Sequence, residues 1–101
     1  MRTISNEQLK EILRSHMNWL NGGKGVRADL CDVDLSWVDL SWADLRRAKL
    51  CGANISGANL RGADLRWADL RNADLSWADL RWANLYEANI RGANLQGADL
   101  R

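Results

Sequence analysis

The amino-acid sequence predicts an all-β solenoid of five-residue repeats over residues 26–101, preceded by an N-terminal capping α-helix and linker in residues 1–25. Three observations carry that expectation. An aliphatic residue recurs at every fifth position from Leu30 to Leu100 without insertion. A small residue stands two places before each of them, and residues 1–21 read as an amphipathic helix instead.

The central column reads Leu30, Leu35, Leu40, Leu45, Leu50, Ile55, Leu60, Leu65, Leu70, Leu75, Leu80, Leu85, Ile90, Leu95 and Leu100, which is 15 units. Ala stands two residues earlier in 13 of them, with Val33 and Val38 the exceptions. Between the two columns Asp occurs nine times, Asn five times and Lys49 once. A period of five matches neither the two of a strand nor the 3.6 of a helix, so neither element could hold these side chains on one side. A chain that turns a corner every five residues can. The Leu and Ala of each unit then point inward as the structural core. The other three positions point out, and they hold every Asp, Asn, Arg and Trp of the region.

In these units, Ala-(Asp/Asn)-Leu-x-x repeated over about three-quarters of the chain, the sequence resembles the pentapeptide-repeat family. The resemblance implies a right-handed quadrilateral parallel β-helix with four repeats to a coil. Coils would then stack at the parallel-strand spacing of about 4.8 Å, and 15 repeats make just under four coils. The absence of Phe from the central column departs from the family's frequent usage and implies an unusually uniform core.

Upstream, Ser5 and Gln8 have the spacing of a capping box, and Ile4 with Leu9 that of a hydrophobic staple. Leu9, Ile12, Leu13, Met17 and Leu20 follow the helical period, and Asn21-Gly22-Gly23 supplies the stop. The first coil of a solenoid exposes unpaired backbone and apolar side chains, so the helix is expected to be its lid. His16 lies on or beside the apolar face and is expected to be partly buried. The other end has no such lid: Ile90, Leu95 and Leu100 form an open apolar edge that invites association. The resemblance also implies that such ends pair, so a homodimer through the last coil is expected.

Residues 20 apart should stack in columns on the outer surface. One column runs Trp37, Gly57, Trp77, Gly97 and the next Trp42, Gly62, Trp82, with Trp67 in a third between Arg47 and Glu87. The alternation fits indoles lying over neighbouring glycines. It also fits a trough floored by Gly57 and Gly62, walled by Trp37, Trp42, Trp77 and Trp82 and flanked by Arg61 and Arg81. Trp and Arg are the residues most enriched at interface hot spots, which makes these six the candidate partner-binding set. The two readings do not exclude each other. Arg beside Trp could also grip single-stranded nucleic acid, but Asp64, Asp69, Asp74 and Asp79 interleave with the Arg residues. A salt-bridged wall is expected, not direct nucleic-acid binding.

No catalytic, cofactor or metal site is expected. The single histidine has no partner nucleophile in the sequence, and Cys31 and Cys51, one coil apart, are read as free thiols. Asp and Asn spread evenly round a rod converge on no pocket, and their expected role is to bond the turn backbone. The charges nearly cancel, at +2 for residues 1–26 and −1 for residues 27–101. No run is apolar enough to span a bilayer and no signal-peptide pattern opens the chain, so a cytoplasmic location is expected. The functional expectation is a non-enzymatic module that binds an unknown protein partner or acts as a scaffold. The family resemblance adds an alternative, a DNA mimic that inhibits or protects a DNA-handling enzyme such as a topoisomerase. In that case the columns Asp44–Asp64 and Asp79–Asp99 would stand for phosphates.

Overall fold

The computed structural model describes all residues 1–101. The repeat region is a right-handed quadrilateral β-helix whose unit is one tight turn. In each repeat the amide of the Ala or Val three residues after the central aliphatic donates back to that residue's carbonyl, as in Val33 to Leu30 at 3.2 Å and Ala98 to Leu95 at 3.0 Å. The third residue of every such turn is left-handed, with φ between 57° and 73° at all fourteen positions from Asp32 to Gly97. A turn with positive φ at that place is the type II class, whose natural occupant is glycine.

Between corners a single residue per side pairs with the next coil. Asp29 bridges Lys49, Asp34 bridges Asn54, and so on to Asp79 with Asp99, always parallel and always 20 residues apart. Backbone bonds such as Leu30 N–H to Lys49 O at 2.8 Å and Lys49 N–H to Ala28 O at 3.0 Å tie the coils together. Four repeats to a coil is therefore the geometry found.

The axis is filled by the central column and by the small residues beside it. Leu30 through Leu80 are all buried. Each has a counterpart 20 residues on, and Leu30 to Leu45 are also closed from above by the N-terminal segment. Leu85 and Leu95 are half-buried and Ile90 and Leu100 exposed, these four having no counterpart 20 residues on within residues 1–101. The fully buried core thus ends at Leu80, one repeat short of the Leu85 expected from the pattern alone.

Helix α1, Asn6–Leu20, forms the lid. Ser5 accepts from the Gln8 amide at 3.0 Å while its own amide donates to Gln8 Oε1 at 2.7 Å, the reciprocal capping box. The chain leaves the helix through Asn21 and a left-handed Gly22. It then passes so close to the helix that a methyl group at Gly25 would collide with Ser15 O and Trp19 N. Leu9 is buried, and Ile4, Ile12 and Leu13 pack on the core. Met17 is exposed and Leu20 only half-buried, contrary to expectation. His16 takes the place assigned to Met17. Seven residues after Leu9 a helix has turned almost two full revolutions, so position 16 returns to the buried stripe and position 17 has rotated past it.

The burial of His16 is complete rather than partial. Its Nδ1 accepts the Ala28 amide at 2.9 Å, so the proton sits on Nε2, which donates to Arg46 O at 2.8 Å. Trp19 stacks on the ring at 5.6 Å. One imidazole thereby ties the helix to the first and the fourth repeat of the first coil. A second closure was not foreseen. Arg2 pairs with Val33 as a parallel strand, its amide donating to Asp32 O at 2.8 Å and its carbonyl accepting from Asp34 N–H at 2.7 Å.

Candidate binding surface

The outward positions resolve into an inert wall and a set of projecting rings. Fourteen Asp or Asn side chains accept the amide two residues on at 3.0–3.3 Å, the turn-bonding role expected of them. Where an Arg follows two residues after an Asp, the pair closes a two-pronged fork. Arg46–Asp44, Arg66–Asp64, Arg71–Asp69, Arg81–Asp79 and Arg101–Asp99 all do so, with Nε to Oδ1 at 2.8–3.0 Å and Nη2 to Oδ2 at 2.6–2.8 Å. The guanidinium holds each of these carboxyls below its usual range, Asp99 down to about 2. Asp34, Asp39 and Asp74 are lowered by the hydroxyls of Ser36, Ser41 and Ser76.

The indoles sit at the left-handed corners. Trp37, Trp42, Trp67, Trp77 and Trp82 have φ of 60–63°. A non-glycine residue held there costs about 1–2 kcal/mol. From that corner the side chain runs along the rod toward the following coil. A methyl group at Gly57, Gly62 or Gly97 would run into the six-membered ring of Trp37, Trp42 or Trp77 respectively. The same rule places Asp32 over Gly52 and Asn72 over Gly92. The glycines are therefore roofed by rings, and the surface is a pair of ridges where an open trough had been considered.

Those ridges remain accessible: Trp37, Trp42, Trp77 and Trp82 are 66–77% exposed. Trp42 and Trp82 approach to 6.5 Å, tilted by 36°, and the Arg61 guanidinium lies 4.9 Å over Trp82. Arg61 follows Asn59 and so lacks the fork that occupies Arg81. Trp67 differs, at 38% exposed, with the Arg47 guanidinium 4.8 Å over its ring and Tyr86 edge-on at 6.0 Å. It belongs to the wall. The left-handed backbone under the indoles escaped the reading of columns, although the glycines recurring at that position were its signal.

Cys31 and Cys51 form a disulfide, with Cα atoms 4.6 Å apart. The expectation of free thiols fails because adjacent coils bring positions 20 apart to the parallel-strand spacing, which suits a disulfide. A reducing cytosol does not favour such a bond, which counts against the cytoplasmic expectation. No helix is long and apolar enough to cross a membrane.

The pattern described as pentapeptide repeats matches the chain in eight copies, over residues 20–47, 39–76, 48–85 and 63–101. The chain belongs to the pentapeptide-repeat family. Among solved structures, the pentapeptide repeat protein of the Arabidopsis thaliana thylakoid lumen is 41% identical, with a TM-score of 0.69 over 70% of this chain and 49% of that one. A pentapeptide repeat protein from the cyanobacterium Cyanothece 51142 is 36% identical, with a TM-score of 0.61 over 73% of this chain and 58% of its own. One from Nostoc PCC 7120 is 38% identical, with a TM-score of 0.50 over 96% and 75%. This pentapeptide-repeat chain thus spans about half the length of the first two relatives. Among curated proteins none matches it.

Proposed function

We propose that the chain is a non-enzymatic binding module that holds a protein partner on the ridges formed by Trp37, Trp42, Trp77 and Trp82, with Arg61 and Arg81 beside them. One observation carries the reading. Glycine is the unstrained occupant of the left-handed corner and is used at five of them, yet these four carry large exposed rings on strained backbone. Asp32, Arg47, Trp67, Asn72 and Glu87 share that backbone, so what marks these four is their exposure: packing that leaves a ring two-thirds in water returns little, and clustered exposed aromatics mark a contact surface. Duplex mimicry requires uncompensated carboxylates. Asp44, Asp64, Asp79 and Asp99 are each gripped by an Arg, which favours the indole surface. A second copy of the chain meets the open edge of Ile90, Leu95 and Leu100, where apolar side chains face water. A monomer by light scattering at high concentration, with Leu100→Arg changing nothing, overturns that part.

The deciding variant replaces all four Trp by Gly. Ala would keep the backbone strain and confound the result, whereas Gly removes ring and strain together. We expect the variant to melt within a few degrees of the parent and to lose the proteins that the parent captures from extracts of its source cells. Undiminished capture by a folded variant refutes the reading, and so does loss of the fold.

A further inference from the structure

The first coil is only partly covered, and the uncovered stretch lies at the end of the rod opposite to Leu100. Arg2 closes the side carrying Val33. On the preceding side, the backbone N–H and C=O of Asp29 make no hydrogen bond, while Ala28 O and Leu30 N–H on either side are both spent on Lys49 below. In a parallel ladder the groups of successive residues point alternately to the two neighbours. The free pair on Asp29 therefore faces away from the rod, toward the open edge.

That edge opens into a groove of about 560 Å³ between α1 and the first coil. Ile4 and Ile12 form its wall, Val26 stands at its mouth 71% exposed, and Arg2 and Arg27 flank it. Both guanidiniums are already engaged, Arg2 with Cys31 O and Arg27 with Arg47 O, which leaves Ile4, Ile12, Val26 and Ala28 as an apolar strip beside the polar Gln8, Glu11, Ser15 and Asp29. An edge with one unpaired donor and one unpaired acceptor beside an apolar strip is the arrangement that takes up an added strand.

We propose that this groove binds an extended peptide segment of a partner as an added parallel strand. The peptide would accept from Asp29 N–H and donate to Asp29 C=O. Residues opposite Ala28 and Leu30 would turn inward toward Ile4 and Ile12 and the residue between them outward, so the segment reads apolar–any–apolar. The chain's own N-terminus shows the mode one side further on, where Arg2 makes the same two kinds of backbone bond to the same coil edge. The site is independent of the indole ridges and stands or falls without them.

The test titrates the full chain, isotope-labelled, with the blocked pentapeptide acetyl-Thr-Val-Thr-Val-Thr-amide, followed by amide and methyl resonances. The expected result is saturable shifts at Asp29 N–H and the Ile12 methyls, with hydrogen exchange at Asp29 slowed about five-fold or more at saturation. Val26→Asp, a change at an exposed side chain, should weaken binding several-fold without altering the fold. The same peptide N-methylated on alternate amides should not bind. Absence of shifts at millimolar peptide, shifts confined to residues elsewhere, or equal binding of the N-methylated peptide would each overturn the proposal.

Discussion

Gly62→Ala tests the corner geometry most directly. Two effects add. The new side chain must take φ near +65°, which costs an L-residue about 1–2 kcal/mol. Its methyl group also enters the space held by the Trp42 ring, so the indole must lift. Lifting it breaks the 6.5 Å approach to Trp82, a contact of a class worth about 0.5–1.5 kcal/mol. Against this, Ala restricts the unfolded chain and returns about 0.4–1 kcal/mol. The net loss is about 0.5–3 kcal/mol, which by an unfolding entropy of about 2.1 cal/mol/K per residue lowers the melting temperature by roughly 2–15 °C. Thermal unfolding followed by circular dichroism measures it, and a red shift of indole emission reports the displaced ring. Trp42→Gly is the counterpart: it empties the same space and relieves strain, so its melting point should move by far less. Equal losses in the two variants, or no loss in Gly62→Ala, would refute the account of these corners.

Other expectations follow from the core, the disulfide and the latch. Leu65→Ala, at mid-rod with complete burial, should cost about 2–5 kcal/mol in urea unfolding. Cys31→Ser should cost about 3 kcal/mol, because the bond closes a loop of 20 residues in the unfolded chain. Thiol titration of the unfolded, unreduced protein should find no free cysteine. Burial lowers the pKa of His16 from 6.5, so the unfolded chain takes up the proton first as pH falls. Stability should be level above about pH 6.5 and decline below it, before the carboxylates protonate, because a protonated ring cannot accept the Ala28 amide. His16→Gln should flatten that decline in urea midpoints measured from pH 7.5 to 5. A decline unchanged in the variant would assign it elsewhere.

The axis of the fold was legible because a period of five leaves one way to keep Leu30 to Leu100 together. The turn-bonding Asp and Asn were legible for the same reason, once each unit was known to bend. What escaped the sequence depends on contacts between coils or on helical phase. Cys31 and Cys51 stand one coil apart in the sequence pattern, and that spacing alone brings them into bonding range. Hydrophobicity points to Met17 for the buried stripe, whereas the phase of the helix favours His16. The Arg2 strand has no pattern at all in Met1-Arg2-Thr3, and only the open edge beside Val33 explains it. The columns of indoles were legible as such, while their posture over Gly57, Gly62 and Gly97 follows from a left-handed backbone that the columns only hinted at.

The four-cornered coil also separates two kinds of inheritance. Duplicating or deleting five residues leaves every leucine on the axis and so preserves the fold, but it rotates everything downstream by a quarter turn. Trp77 and Trp82 would then face a different direction from Trp37 and Trp42. Only changes in multiples of twenty keep an outer stripe aligned. A rod of this kind can therefore lengthen freely while its recognition face drifts, and aligned indoles across coils record a length held in whole coils.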